Sequence, residues 1–334
     1  MKKKKAILSY DYELFFGDRS GTVQKSLIDP TNSLLDAMDA VGLKGNFFVD
    51  WQMLKYLKEA NTERTTNDLI LIENQLKDII RRGHRIELHI HPHWVDAKYN
   101  GDGTWNFDEF RHYSLQSFKE SEVTSMFKEG TVLLESIARK IVPDYKIIAF
   151  RAGGWAVQPF TKLKKGFEEA GIKIDSSPAK GFHVENIHSF YDFRYIPDKC
   201  TYSFKEDACV ECEDGPFVCV PITTYQRSFF FRLLDKVRRM ISDDFVCLTD
   251  GTHQRREDSK LNKEQKNYND KQRVRMLSFN MSIWTLPFVL YSLRDREMLC
   301  FIQHPKDQNG VTTRVVKALS KYIETISYKD LSLF

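Results

Sequence analysis

LIENQLKDIIRRGHRIELHIHPH, residues 71–93, changes its hydrophobic period half-way along. Ile72, Leu76, Ile79 and Ile80 recur at the three- and four-residue spacing of an amphipathic helix, and Gly83 supplies a stop. RIELHI, residues 85–90, then reads as a strand. Three histidines, His89, His91 and His93, follow at alternate positions, although the whole chain has only nine. A helix feeding directly into a strand is half of a βαβ unit, so the fold depends on whether the flanking sequence repeats it.

Working outward, it does. AILSY (6–10) is a first strand; Asp29-Pro30 opens a helix whose Leu34, Leu35, Met38 and Val41 keep helical spacing up to Gly42; and GNFFVD (45–50) is a second strand. Beyond the histidines come a helix near 119–141, the strand KIIAFRA (146–152), a helix near 159–171 ending at Gly171, and a strand around KIDSS (173–177). A last helix, roughly 277–293, precedes the strand MLCFIQH (298–304). Such alternation predicts α/β architecture around a parallel sheet, either open and doubly wound or closed into a barrel. A hairpin region at 195–222, around the turn Glu213-Asp214-Gly215-Pro216, and a polar, basic stretch from Gly251 to Arg275 read as insertion-like departures at about 195–275. With no repeat and no Pro- or Ser-rich linker, a single domain over 1–334 is the simpler account.

Composition narrows the classes of function. A net charge of +4 over 334 residues is too dilute for the basic field that nucleic acid requires, so no nucleic-acid partner is expected. After MKKKK the apolar run is only Ala6-Ile7-Leu8, too short for a signal peptide, and no stretch approaches a membrane span, so a soluble cytoplasmic protein is expected. The sequence leaves the oligomeric state open. Four of six cysteines lie between 200 and 219, but Cys209-Val-Glu-Cys212 lacks the second pair of a zinc knuckle and reads as small residues on the hairpin. Arg227–Ile241 is basic and amphipathic, with Phe230, Leu233, Leu234, Val237 and Ile241 at helical spacing. Two readings of it stand: a barrel helix packed on its apolar stripe, or a peripheral contact with the inner face of a membrane.

Parallel α/β folds put their chemistry at the C-terminal ends of the strands. There the sequence places Asp11 and Glu13, the three histidines, Arg151, Asp175 and His304. Imidazole beside carboxylate makes a first shell for Zn2+ or another divalent metal. Asp11 and Glu13 share a side of an extended chain, so one can bind a cation while the other activates water. Pro92 breaks the third strand into a turn that could bring His89 and His93 to one point, with His91 directed elsewhere.

On these residues the chain resembles the polysaccharide deacetylases, the NodB-type carbohydrate esterase family 4. Asp11 after the first strand, GNFFVD, GHRIELHIHPH (83–93), FRAGGW (150–155) and FIQHP (301–305) look like its successive motifs, from residue 6 to about 307. The resemblance implies a single distorted (β/α)7 barrel with an inserted β-hairpin region. It also implies that Asp11 is the catalytic base, that His89 and His93 are metal ligands, that Arg151 holds the base and that His304 is the acid. Tyr12 stands where many members carry a second aspartate, which makes Glu13 the candidate third ligand. Gly153 replaces a family proline, suggesting a roomier groove. Asp175 is a candidate for orienting His304 or for capping a turn, and Trp155, Trp94 and His91 are candidate substrate contacts. The implied activity is metal-dependent removal of an N-acetyl or O-acetyl group from a carbohydrate, such as a glycan or a lipid- or nucleotide-linked amino sugar in cell-envelope polysaccharide biosynthesis. The alternatives are allantoinase-like hydrolysis of another C–N bond and a catalytically inactive carbohydrate-binding member.

Overall fold

Nine strands form one sheet in the computed structural model, which describes residues 3–253 and 274–331. In chain order the elements are β1 (Lys4–Tyr12), α1 (Asp29–Asp39), β2 (Gly45–Asp50), α2 (Trp51–Ala60), α3 (Glu63–Arg81), β3 (Arg85–Ile90) and α4 (Glu120–Ala138). There follow β4 (Ala149–Ala152), α5 (Thr161–Ala170), β5 (Ile174–Asp175), β6 (Tyr202–Phe204), β7 (Phe217–Cys219) and α6 (Phe229–Ile241). The last are α7 (Leu286–Ser292), β8 (Met298–Gln303), α8 (Thr312–Leu319) and β9 (Ile323–Thr325). The sheet order is β6-β7-β5-β4-β3-β2-β1-β8, with β9 also on β1, and every pairing is parallel except β6 with β7.

The sheet curls into a half-barrel. Past β7, Thr223 donates its N–H to the Cys300 carbonyl and accepts the Cys300 N–H on Oγ1, both at 2.9 Å, which brings the far strands back toward β8. Strict sevenfold alternation of strand and helix is not what the chain builds. Between β5 and β7 there is no helix, only β6 and a short hairpin, His183–Glu185 with Phe190–Asp192. The hairpin region is also no insertion, because β7 pairs with β5 through Val218↔Ile174 and Cys219↔Asp175. Its three residues are all buried, with Val218 facing the concave interior and Phe217 packed on Phe160 and Phe167, as a strand covered on both faces requires.

Alternation along the strands divides the core into two layers. Leu8, Tyr10 and Tyr12 pack toward the helices. Ile7 and Phe48 instead meet Ala149, Ile174, Val218, Cys300 and Tyr328 inside the curl. Each large apolar side chain fully buried there stabilises the fold by roughly 1.5–3 kcal/mol, and together they floor the concave side below the polar residues. The expected helix at 277–293 shrinks to α7, because Pro287 lacks an N–H and fits only a first turn. Val274–Met276, where the basic stretch ends, is a strand paired with Thr224–Gln226. Of the basic stretch from Gly251 to Arg275, residues 254–273 lie outside the described residues, as does the side chain of Phe230. All six cysteines are free, and no described cysteine joins a metal-binding group. No described helix is long and apolar enough to cross a membrane.

Candidate active site

The side chains of one parity on β1 run Ile7, Ser9, Asp11, with Glu13 just past the strand end, so the concave face passes from apolar floor to carboxylates as it nears the strand C-termini. Neighbouring strands stop at the same level: His89 on β3 stands opposite Asp50 on β2 and Arg151 on β4. Parallel pairing in register therefore gathers groups from residues 11, 13, 50, 89 and 151 at one end of the curl.

Arg151 organises the lower part of that cluster. It is wholly buried; Nη1 donates to Asp11 Oδ1 at 2.5 Å, Nη2 to Ser9 Oγ at 2.8 Å, and Nε to the Ser176 carbonyl at 2.8 Å, while Phe48 lies 4.2 Å beneath the guanidinium. Burial alone would raise the Asp11 pKa, but the Arg151 charge, together with His304, outweighs it and holds Asp11 well below the usual carboxylate range. A buried carboxylate is thereby kept ionised and aimed.

Above it, Glu13 Oε2 lies 2.9 Å from His89 Nε2 and 2.8 Å from His91 Nε2, and the three side chains form one candidate metal-binding group. The donor set fits a divalent cation for a specific reason. His89 Nδ1 lies 2.7 Å from the Arg151 carbonyl, an obligate acceptor, so Nδ1 carries the ring proton. The Nε2 lone pair then faces a carboxylate oxygen, a contact that only a second proton or a cation resolves. Burial opposes charge on this ring, yet the Glu13 hydrogen bond and the Asp11 charge outweigh it and raise the His89 pKa. His91 goes the opposite way, pulled by burial down to about 4.

The expected pairing of His89 with His93 is not the one that forms. His89 and His91 sit two residues apart on one face of extended chain, whereas Pro92 starts a 3-10 turn, Pro92–Asp96, that carries His93 round the corner. His93 Nε2 donates to the Glu109 carbonyl at 3.0 Å, and its ring packs against Phe16, Phe107 and Phe110. His91, expected among the substrate contacts, faces Glu13 instead. Trp94 is also displaced from that group: it is fully buried, donates to Asp50 Oδ2 at 2.6 Å and packs on Trp105 and Phe107. Trp155 remains half-buried, on a single turn that carries φ +59°.

Two residues that the sequence did not single out complete the site. Lys306, buried, donates to Glu13 Oε1 at 2.7 Å and to the Leu14 carbonyl at 2.8 Å. Against the penalty of burial, Lys306 and His91 hold Glu13 well below its ordinary pKa. Asp307 Oδ2 lies 3.3 Å from His304 Nδ1, while His304 Nε2 lies 3.4 Å from Asp11 Oδ2 and 3.5 Å from Glu13 Oε1. Burial works against charge on His304, but Asp11 and Asp307 push its pKa up to about 10. Asp307 thus takes the orienting place considered for Asp175. Asp175 caps its own turn, accepting from Ser177 Oγ at 2.6 Å and from Ser177 N–H at 3.2 Å, and burial raises it to about 7. Pro305, immediately after His304, is the one sequence signal for the tight turn that folds Lys306 and Asp307 back.

Gly153 does not widen a groove. A Cβ there would meet the Ile90 carbonyl oxygen at 2.6 Å and His91 Nδ1 at 2.8 Å, so the glycine lets the backbone pass against the His91 ring.

No family profile and no curated protein matches the sequence. Among solved structures, a proposed polysaccharide deacetylase from Mycobacterium smegmatis overlaps 96% of this chain and 84% of its own, at 14% identity and a TM-score of 0.45. A 4-alpha-glucanotransferase from Thermococcus litoralis overlaps all of this chain and 41% of its own, at 12% identity and a TM-score of 0.46. An allantoinase overlaps 95% of this chain and 82% of its own, at 10% identity and a TM-score of 0.41. These names span different reactions, and the functional reading rests on the site.

Proposed function

We propose that the chain is a metal-dependent hydrolase that removes an acetyl group from a carbohydrate, an N-acetylated amino sugar in the first instance, within a glycan or on a lipid- or nucleotide-linked precursor of cell-envelope polysaccharide. One observation carries this reading: the Glu13–His89–His91 donor set stands directly beside Asp11, ion-paired with Arg151, and His304, which Asp307 engages from its other side. In this reading Glu13, His89 and His91 hold Zn2+ or another divalent cation, which when bound supplies a Lewis acid for the amide carbonyl and for water.

The chain's own residues do the proton chemistry. Asp11, kept charged and pointed by Arg151, accepts a proton from the attacking water at Oδ2, the oxygen not engaged by Arg151. His304, protonated at neutral pH and about a fifth exposed, donates from Nε2 to the leaving amine. Asp307 engages the Nδ1 proton, so the proton His304 gives up is the one on Nε2. Lys306 anchors Glu13 through Oε1, leaving Oε2 toward the two imidazoles. The choice of a sugar amide, among other C–N substrates, follows the motif resemblance in 83–93, 150–155 and 301–305.

The test is acetate release from acetylated chito-oligosaccharides and peptidoglycan fragments by zinc-loaded protein. Acid and base catalysis are each worth typically 10²–10⁴-fold, so Asp11→Asn and His304→Gln should each lose about that much in kcat while retaining the circular dichroism of the wild type. Undiminished turnover in folded Asp11→Asn would remove this mechanism.

A further inference from the structure

We propose that α6 and the outer face of α7 form a docking surface for an anionic lipid bilayer. The apolar stripe of α6, read from sequence as a packing face or a membrane contact, points to solvent: Leu233 and Val237 are each 48% exposed and Ile241 70%, and Phe229 and Met240 beside them 70% and 76%. On α7 and the turn before it, Phe288 is 57% exposed and Trp284 75%. The two faces are contiguous, since the Phe231 ring lies 5.8 Å from that of Phe288. A two-faced helix ordinarily buries its apolar side, and a continuous exposed apolar surface of this kind marks an interaction site.

Charge selects the occupant. Asp235, the only acid on α6, is paired with Arg227 at 3.4 Å, while Arg232 and Lys236 are exposed one turn apart beside the apolar stripe. Beyond α7, Arg294 is exposed and lies 4.6 Å over the Tyr291 ring, with its charge paired to Asp295 at 3.7 Å. Two copies meeting through this surface would set these cations against one another, whereas phosphate headgroups complement them. Basic side chains flanking Phe, Leu and Trp are the make-up of a helix that lies in the bilayer interface. The two cations of α6 that are unpaired among the described residues, Arg232 and Lys236, amount to roughly thirty-fold in partitioning near an anionic surface.

The patch is tied to the site loop. Leu248 donates its N–H to the Gln308 carbonyl at 2.9 Å, and Thr249 donates from Oγ1 to the Lys306 carbonyl at 2.7 Å. Val246 and Leu248 on this connection are themselves exposed. Docking would therefore hold the turn that carries His304, Lys306 and Asp307 near the lipid surface, where a membrane-borne substrate is met. The lipid contact itself does not depend on the hydrolase reading.

The experiment is vesicle flotation of the full chain, with phosphatidylcholine alone or with about a third phosphatidylglycerol, alongside light scattering to give the molecular mass. Expected are co-flotation only with the anionic vesicles, a monomer in solution, and loss of flotation by at least about tenfold in Arg232→Glu/Lys236→Glu and in Phe229→Ser/Met240→Ser. Both variants should melt at the wild-type temperature. Wild type that fails to float, or floats equally with neutral vesicles, overturns the proposal. So does a wild-type dimer that the variants dissolve, which makes a second copy the occupant. A melting point lowered by several degrees in Phe229→Ser/Met240→Ser overturns it as well, because the face is then covered within the chain.

Discussion

Replacing Arg151 with methionine keeps much of its volume but strands Asp11, which is 2% exposed, without its principal cation. The size of the effect can be read from a neighbour. Asp175 is buried on the same sheet with no ion-pair contact among the described residues, and burial puts it at about 7 even against the Ser177 hydrogen bonds and the Arg151 charge, which both lower it. If Asp11 without Arg151 moves toward that value from an unfolded pKa near 3.9, the gap of about three units corresponds to about 4 kcal/mol at and above pH 7. His304 and His89 still face Asp11 and moderate this to about 2–4 kcal/mol, within reach of the roughly 3–5 kcal/mol typical of a broken buried pair. The sign against pH then reverses. In the wild type the Asp11 pKa is depressed, so its contribution is present above the unfolded pKa and is lost as pH falls through the folded one. In Arg151→Met the folded pKa is raised, so the penalty is largest at neutral pH and fades as pH falls toward 4. Urea unfolding in the presence of chelator, at pH 7.5 and pH 5, measures it. Adding Asp11→Asn to Arg151→Met should recover most of the loss at pH 7.5. An equal penalty at both pH values, with no recovery in the double variant, would refute the reasoning.

Three further outcomes follow from the geometry. His91→Ala should abolish stoichiometric zinc retention while His93→Ala preserves it, as read by elemental analysis after gel filtration; the opposite result would restore the pairing of His89 with His93. Gly153→Ala should drive a Cβ into Ile90 O and His91 Nδ1, costing roughly 1–3 kcal/mol by overpacking and lowering zinc affinity, both measurable on one preparation by thermal melts and competition with a chelator. His84 is buried, and Nδ1 accepts the Gly45 N–H at 2.9 Å; burial and the Lys44 charge outweigh the opposing Asp39 and hold the ring neutral, with its pKa down at about 4. The unfolded chain takes up that proton near pH 6.5, so wild-type stability relative to His84→Asn, whose Oδ1 can accept the same N–H, should fall by about 3 kcal/mol between pH 7 and pH 4; a flat difference in urea midpoints would count against it.

The parts of this architecture that sequence revealed are those governed by period. Helical spacing up to Gly42, Gly83 and Gly171, and strands at 45–50 and 85–90, follow from local patterning, and the structure reproduces them within a few residues. Where longer-range pairing decides, patterning fell short: β7 looks like half of an isolated hairpin until its pairing with β5 is known. The same division runs through the site. Asp11, Glu13, His89, Arg151 and His304 were legible because each ends a strand or lies just past its end. Lys306 and Asp307 were not, because a turn after Pro305, and no periodicity, returns them to Glu13 and His304.

The choice between His91 and His93 shows which rule has priority. A motif spacing of four residues favoured His93, but alternation favours His91, since positions two apart share a face for as long as the chain stays extended. The chain stays extended through His91, whose φ is −108°, and turns only at Pro92. Parity explains Tyr12 as well. It stands where the resemblance leads one to look for a second aspartate, but lies on the helix-facing side of β1, fully buried, with its hydroxyl donating to Gln75 Oε1 at 2.7 Å. A carboxylate at residue 12 in this backbone would face α3 and could not meet His89, whereas one at residue 13 does. Moving the acid one residue along the strand end changes the face it serves, and the histidine pair that meets it is correspondingly the one in phase at the end of β3, His89 with His91 just past it.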